Sequence, residues 1–132
     1  MTGIQVIDSS ILVRYVSHEP GWEKAGDFVT TGTTLGFALL ETGNALWKKA
    51  MRHEIAIGDL RDIVESLRSI VLIADDSPLL YKAVILAVKL EITVYDAMFI
   101  QFALENEGEL VTSDRKQAEA AELTGVKVVR ME

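Results

Sequence analysis

Hydrophobic positions alternate along this chain between short β-branched runs and longer stretches of helical period. Ile4 to Ile7 is predicted as a strand, and the segment from Ser10 to Val16 as a helix. Glu19 to Val29 follows as a second amphipathic helix, with Pro20 suited to its first turn. Thr33 to Leu35 is a short strand, and Gly36 to Arg52 and Ile57 to Arg68 are helices, the latter entered through Gly58 and Asp59. Ile70 to Ile73 is a strand and Pro78 to Leu90 a helix. Val94 to Glu107 is a helix closed by Gly108, and Leu110 to Thr112 is a strand. Asp114 to Leu123 is a helix stopped at Thr124 and Gly125, before a last strand from Val126 to Val129. Strands too short to alternate in polarity, each separated by helix, belong to a parallel sheet covered on both faces. The expected fold is therefore a three-layer α/β/α domain around a central parallel sheet. No linker, repeat or low-complexity stretch interrupts it, so residues 1–132 are read as one domain.

Composition narrows the chemistry. Without cysteine there is no thiol nucleophile, disulfide or thiolate metal site, and two histidines far apart make a zinc site a poor fit. Both His18 and His53 fall at helix or loop ends and are expected at the surface, which leaves no histidine placed as a general base. The longest uncharged stretch, Phe28 to Leu40, is too short to span a bilayer. The N-terminus lacks a basic segment followed by an apolar run, so a cytoplasmic location without a leader is expected. A formal charge of -7 opposes binding nucleic acid through a general positive field, while leaving open a grip on phosphates through metal ions.

Four acidic residues stand where such a sheet keeps its ligands, or where acids are costly. Asp8 directly follows the first strand and Asp114 the strand ending at Thr112, the edge at which parallel sheets bind. Glu41 and Asp96 sit within the apolar runs from Phe37 and Val94. A carboxylate among core residues is expensive unless a cation or hydrogen bonds compensate it. Each also has a structural reading. Asp8 and Asp114 are suited to cap the helices that follow them. Thr93 and Asp96 match a capping box, and Glu41 with Asn44, Lys48 and Arg52 forms a helical stripe that an ordinary solvated face would also show. Taken jointly, four acids in one crevice repel, at about 4 kcal/mol for a pair about 4 Å apart in a medium of dielectric about 20. Oxygen donors without His or Cys favour a hard ion, magnesium or manganese, of the kind that serves phosphoryl chemistry.

The blocks Val-Ile-Asp8-Ser-Ser, Leu-Leu-Glu41-Thr-Gly-Asn, Val-Tyr-Asp96-Ala-Met-Phe and Leu-Val-Thr-Ser-Asp114-Arg-Lys resemble, in order and spacing, the motifs of the PIN domain family. The likeness spans nearly the whole chain and is greatest to VapC-type toxins of toxin–antitoxin pairs. It implies a magnesium- or manganese-dependent endoribonuclease that leaves a 3′-hydroxyl and a 5′-phosphate, with Asp8, Glu41, Asp96 and Asp114 as metal-binding and catalytic acids. Thr112 then orients a carboxylate or water, and Ser9 and Asn44 lie near the site. Some members carry a further acid just beyond the last Asp. Here Arg115 and Lys116 stand instead, which weakens the case for a second metal and, with Lys48, Lys49 and Arg52, suggests contacts to RNA phosphates. The same likeness implies a VapB-type antitoxin partner and a homodimer. A catalytically silent RNA-binding or protein-interaction module of the same fold is the alternative; a doubly wound phosphoacceptor or phosphatase fits poorly, because Glu41 and Asp96 lie on helices.

Two aspects of surface are also legible. The helix from Pro78 to Leu90 carries only Lys82 and Lys89 as polar residues, so it is expected to be covered on more than one side, the second covering being another subunit. Trp22 and Trp47 occupy apolar positions and are expected in the core, or as docking sites for an antitoxin segment if exposed.

Overall fold

Val6 and Ile7 are both fully buried although neighbours on a strand face opposite sides, and so are Leu110 and Val111. Such strands exist only where both faces of the sheet are covered. In the computed structural model, which describes residues 3–132, five parallel strands form one sheet. They are β1 (Gln5–Ile7), β2 (Thr33–Leu35), β3 (Leu72–Ala74), β4 (Glu109–Thr112) and β5 (Lys127–Arg130), in the order β3-β2-β1-β4-β5. Seven helices connect and cover them: α1 (Ser9–Val16), α2 (Trp22–Thr31), α3 (Gly36–Met51), α4 (Ile57–Ile70), α5 (Leu80–Leu90), α6 (Val94–Glu105) and α7 (Arg115–Leu123). The core gathers Ile11 and Leu12 from α1, Phe99 and Ile100 from α6 and the central strands. None of the described helices is long and apolar enough to cross a membrane. Met1 and Thr2, where the reading of the N-terminus begins, lie outside the described residues.

Strand order reverses between β1 and β4. The chain leaves β1 for β2 on one side and returns to β4 on the other, so a crevice opens beyond their carboxyl ends. Asp8 follows β1 there and Asp114 follows β4, separated from it by Ser113.

Every expected element is present, and the shifts at its ends have local causes. Helix α2 starts at Trp22 because Gly21, at φ +87°, takes a left-handed conformation that a right-handed helix cannot contain; Pro20 belongs to the preceding turn. The third strand runs Leu72–Ala74 rather than Ile70 to Ile73, since α4 continues to Ile70 and pairing begins at Thr33 opposite Leu72. Pro78 lies in a one-turn 3-10 helix (Ser77–Leu79) ahead of α5. Helix α6 stops at Glu105 because Glu107 is left-handed at φ +50°.

One packing expectation changes, and one is met only in part within a single chain. Trp47 projects to solvent from α3 instead of joining the core, while Trp22 is half-buried and stacks on His18 with ring centroids 4.1 Å apart. Helix α5 buries Ala83 and Ala87 and leaves Tyr81, Val84, Ile85 and Val88 exposed, so within one chain it is covered on one side only. His18 and His53 are both exposed, as expected.

Candidate active site

Asp8 is the most deeply placed acid. The chain turns from β1 into α1 at this residue, and its extended backbone lets Oδ1 accept from the amides of Ser10 at 3.1 Å and Ile11 at 3.4 Å. The helix-capping reading is therefore correct, and it is not the whole account. Ser10 Oγ donates to Oδ1 at 2.5 Å, and Thr112 Oγ1, reaching across from β4, donates to Oδ2 in a short hydrogen bond. Burial nevertheless outweighs these bonds and raises the Asp8 carboxyl to about 6, with the charge of Asp114 adding to the rise. Its hydrogen bonds thus offset only part of the cost of burying its charge.

Thr112 ties the two strand ends together. While donating to Asp8 it accepts from the Asp114 amide at 2.9 Å, and Asp114 caps α7 through Oδ1, which accepts from the amides of Lys116 at 2.9 Å and Gln117 at 3.2 Å. Asp114 itself is exposed at the rim of the crevice.

Glu41 and Asp96 arrive on helices. Glu41 lies on α3 with Oε1 accepting from Ser9 Oγ at 2.8 Å, so Ser9 stands beside it. Burial raises the Glu41 carboxyl, the Ser9 bond lowers it and the charge of Asp96 raises it further. At the start of α6, Thr93 Oγ1 accepts from the Asp96 amide at 3.2 Å, so the cap is made by the threonine and the backbone of Asp96. The Asp96 carboxyl is raised by burial first and by the charge of Asp114 second, with the Thr93 hydroxyl opposing.

The like-charge influences form a chain that includes all four acids: Glu41 feels Asp96, Asp96 feels Asp114, and Asp8 feels Asp114. They share a field without forming a closed cage, since no three Asp, Glu or His side chains among the described residues converge as a metal cluster. The donor set still fits a hard divalent ion. It is all oxygen, it is mutually repulsive, and three of its members are held above their ordinary carboxylate range, which a cation would reverse.

Other expected residues are placed less centrally. Asn44 is exposed on α3, three residues beyond Glu41. Lys48 is exposed, and Arg52 is 3.9 Å from Glu54 in a solvent-screened pair. Lys49 is engaged by Glu19 at 3.4 Å and Glu54 at 3.8 Å. Lys116 is exposed, whereas Arg115 is paired with Glu119 at 3.0 Å.

Two supporting residues were not anticipated. Ser10 accepts from the Ser113 amide at 2.8 Å while donating to Asp8, so it binds the end of β4 to the start of α1. Asp76 accepts from the Phe37 amide at 2.7 Å and so caps α3, whose own N-cap, Leu35, has no side chain able to do it. Phe37 in turn packs on Tyr95 and Phe99, with centroids 5.9 and 5.0 Å away, and sets the helix of Glu41 against that of Asp96. The adjacency of Ser10 to Asp8 was a signal available in the sequence; Asp76, 39 residues from its partner, offered none.

Comparisons with known proteins bear on family and fold. The model of the PIN domain family matches residues 6–123. Ribonuclease VapC3 of Pyrobaculum aerophilum is 31% identical over 121 residues, covering 86% of this chain and 92% of that one. The crystal structure of PAE2754 from Pyrobaculum aerophilum superposes with a TM-score of 0.76 at 25% identity, over 96% of this chain and 84% of that one. A toxin-antitoxin complex from Klebsiella pneumoniae contains a chain similar in fold, with a TM-score of 0.65 at 19% identity and 95% of each chain covered.

Proposed function

We infer a function from one premise: this chain belongs to the PIN domain family, as a VapC-type protein. We propose that it is the toxin of a toxin–antitoxin pair and a magnesium- or manganese-dependent endoribonuclease. The observation that carries this reading is the chain of mutually repelling carboxylates beyond β1 and β4, raised by burial and by one another.

Asp8, Glu41, Asp96 and Asp114 are the residues that would hold the ion. The chemistry it supplies when bound is positive charge, which neutralises the phosphodiester and acidifies the attacking water. The protein's own groups do the rest. Ser10 and Thr112 fix both oxygens of Asp8, and the bond from Thr112 to the Asp114 amide keeps the two strand-end acids in register. Ser9 occupies Glu41 Oε1 and leaves Oε2 to take a proton from water, a role suited to a carboxylate of raised basicity. The water oxygen bonds to phosphorus as the bond from phosphorus to the 3′-oxygen breaks, and the leaving 3′-oxygen takes a proton from solvent water, giving a 5′-phosphate and a 3′-hydroxyl. Lys48, Arg52 and Lys116, all exposed, follow the RNA backbone. In the test, a mixed-sequence fluorescent RNA is cut with manganese present and left whole in chelator. Tight RNA binding with no cutting under any divalent ion would select the silent binding module instead.

The same reading supplies two protein partners. Helices α3 and α4 enclose an apolar groove of about 380 Å³ lined by Leu46, Trp47, Met51, Ile57, Leu60 and Val64. An amphipathic antitoxin segment fits such a groove by its apolar face. The exposed apolar side of α5, with Tyr81, Val84, Ile85 and Val88, is a separate surface suited to a homodimer interface. Light scattering at micromolar concentration should give twice the 14.6 kDa chain mass, and Val88→Glu should return one chain mass. A wild-type monomer would remove this interface.

A further inference from the structure

Beside the four acids, and sharing Thr112 and Asp114 with them, a cavity of about 370 Å³ extends toward β5. Asp114 stands at its inner edge. Arg115, Ala118 and Glu119 of α7 form one wall, and Arg130 and Met131, at the end of β5, form the other. The sheet sets this spacing. Arg130 pairs in register with Thr112, whose hydroxyl holds Asp8, and the Met131 amide donates to the Thr112 carbonyl at 2.9 Å. The end of β5 is thereby held next to Asp114, with the cavity between them.

The lining chemistry selects the kind of ligand. Ala118 and Met131 are buried and close the floor of the cavity with apolar side chains. Around it the lining carries Arg115 and Arg130 with Asp114, Glu119 and Glu132, two cations against three anions, and Arg130 is itself paired with Glu122, so the cavity has no positive field to hold a bare phosphate. What it offers is alternating donors and acceptors, the complement of a neutral heterocycle with both carbonyl and amino edges. Carboxylates accept from base amino groups and guanidinium groups donate to base oxygens and nitrogens. The volume lies within the usual range for small-ligand pockets, roughly 300–1,000 Å³. The Arg115–Glu119 pair is 3.0 Å apart and open to solvent, and such surface pairs are weak enough to be exchanged for a ligand.

We propose that this cavity seats the base of the nucleotide adjoining the scissile phosphate and reads it with Arg115 and Glu119. Sequence preference then resides on α7, apart from the acids that cut. The proposal rests on the ribonuclease reading for its substrate class. It reassigns Arg115 from tracking the backbone to reading a base.

The test measures base preference in binding, separately from turnover. Fluorescent RNA homopentamers of A, C, G and U are titrated by anisotropy against the Asp96→Asn protein, with and without Glu119→Gln, in manganese. The expected result is a preference of about tenfold or more for one homopentamer, reduced to within about threefold by Glu119→Gln, with unchanged melting curves. Equal affinities before the change, or the same preference after it, overturn the proposal, as does failure of every pentamer to bind. Cleavage of the same pentamers by the wild-type protein is scored alongside. Preference in binding without any cleavage would overturn the ribonuclease reading and leave the base pocket standing.

Discussion

Asp96→Asn is expected to reduce RNA cleavage by on the order of 10³-fold while leaving the fold intact. A divalent ion stabilises transition-state charge by several kcal/mol, and about 1.4 kcal/mol corresponds to a factor of ten in rate. The substitution keeps the shape and the cap of α6, because the bond to Thr93 Oγ1 comes from the backbone amide of residue 96 rather than its side chain. It also removes a negative charge that burial and Asp114 already disfavour. The variant should therefore melt at or above the wild-type temperature in chelator. With manganese, the wild type should gain stability, by about 2.7 kcal/mol at a hundredfold excess over the dissociation constant, and the variant should gain much less. If it instead melts lower and cuts RNA normally, the Asp96 carboxylate is a structural group and the nuclease assignment of this residue fails.

The experiment matters because the sequence left both readings of Asp96 open. Thr93 and Asp96 fit a capping box by spacing alone, and only coordinates separate the backbone contact that caps the helix from a side chain held among other acids. The same division runs through the molecule. Helical period and short β-branched runs identified all five strands and seven α-helices of the described residues, since both are written along the chain. They did not place β3 at Leu72–Ala74, because a strand begins where its neighbour pairs with it and β2 lies 37 residues earlier at its nearest. Asp8 and Asp114 were visible as acids directly beyond strands. Their linkage through Thr112 and Ser10 was not, because it joins segments about a hundred residues apart. Asp76 was invisible for the same reason, although it caps the helix that delivers Glu41. The cavity beside Asp114 draws on β4, α7 and the exit of β5, and no local spacing encodes such a meeting.

Asp8 leads to the second large effect, on stability rather than rate. Its folded carboxyl titrates at about 6 against a reference value of 3.8. A group raised in the folded state stabilises most fully below its unfolded value, and that contribution disappears as pH rises through the folded value. In chelator, then, Asp8 should withdraw about 3 kcal/mol from the fold between about pH 4 and pH 7, taking about 1.4 kcal/mol for each of roughly two units. Glu41 and Asp96, raised by the same causes, change stability in the same direction. The chain's many other acids have their own slopes, so the informative quantity is the difference between wild type and Asp8→Asn, a substitution that still caps a helix well. Denaturant unfolding from pH 4.5 to 7.5 should show the variant gaining on the wild type as pH rises. Parallel profiles would mean that Asp8 ionises without penalty and that the site does not need a cation. Manganese should reverse the wild-type trend, because proton and ion compete for the same oxygens and the ion prevails as pH rises. A residue that weakens the empty fold at neutral pH and strengthens the loaded one ties the stability of this protein to the ion its proposed chemistry requires.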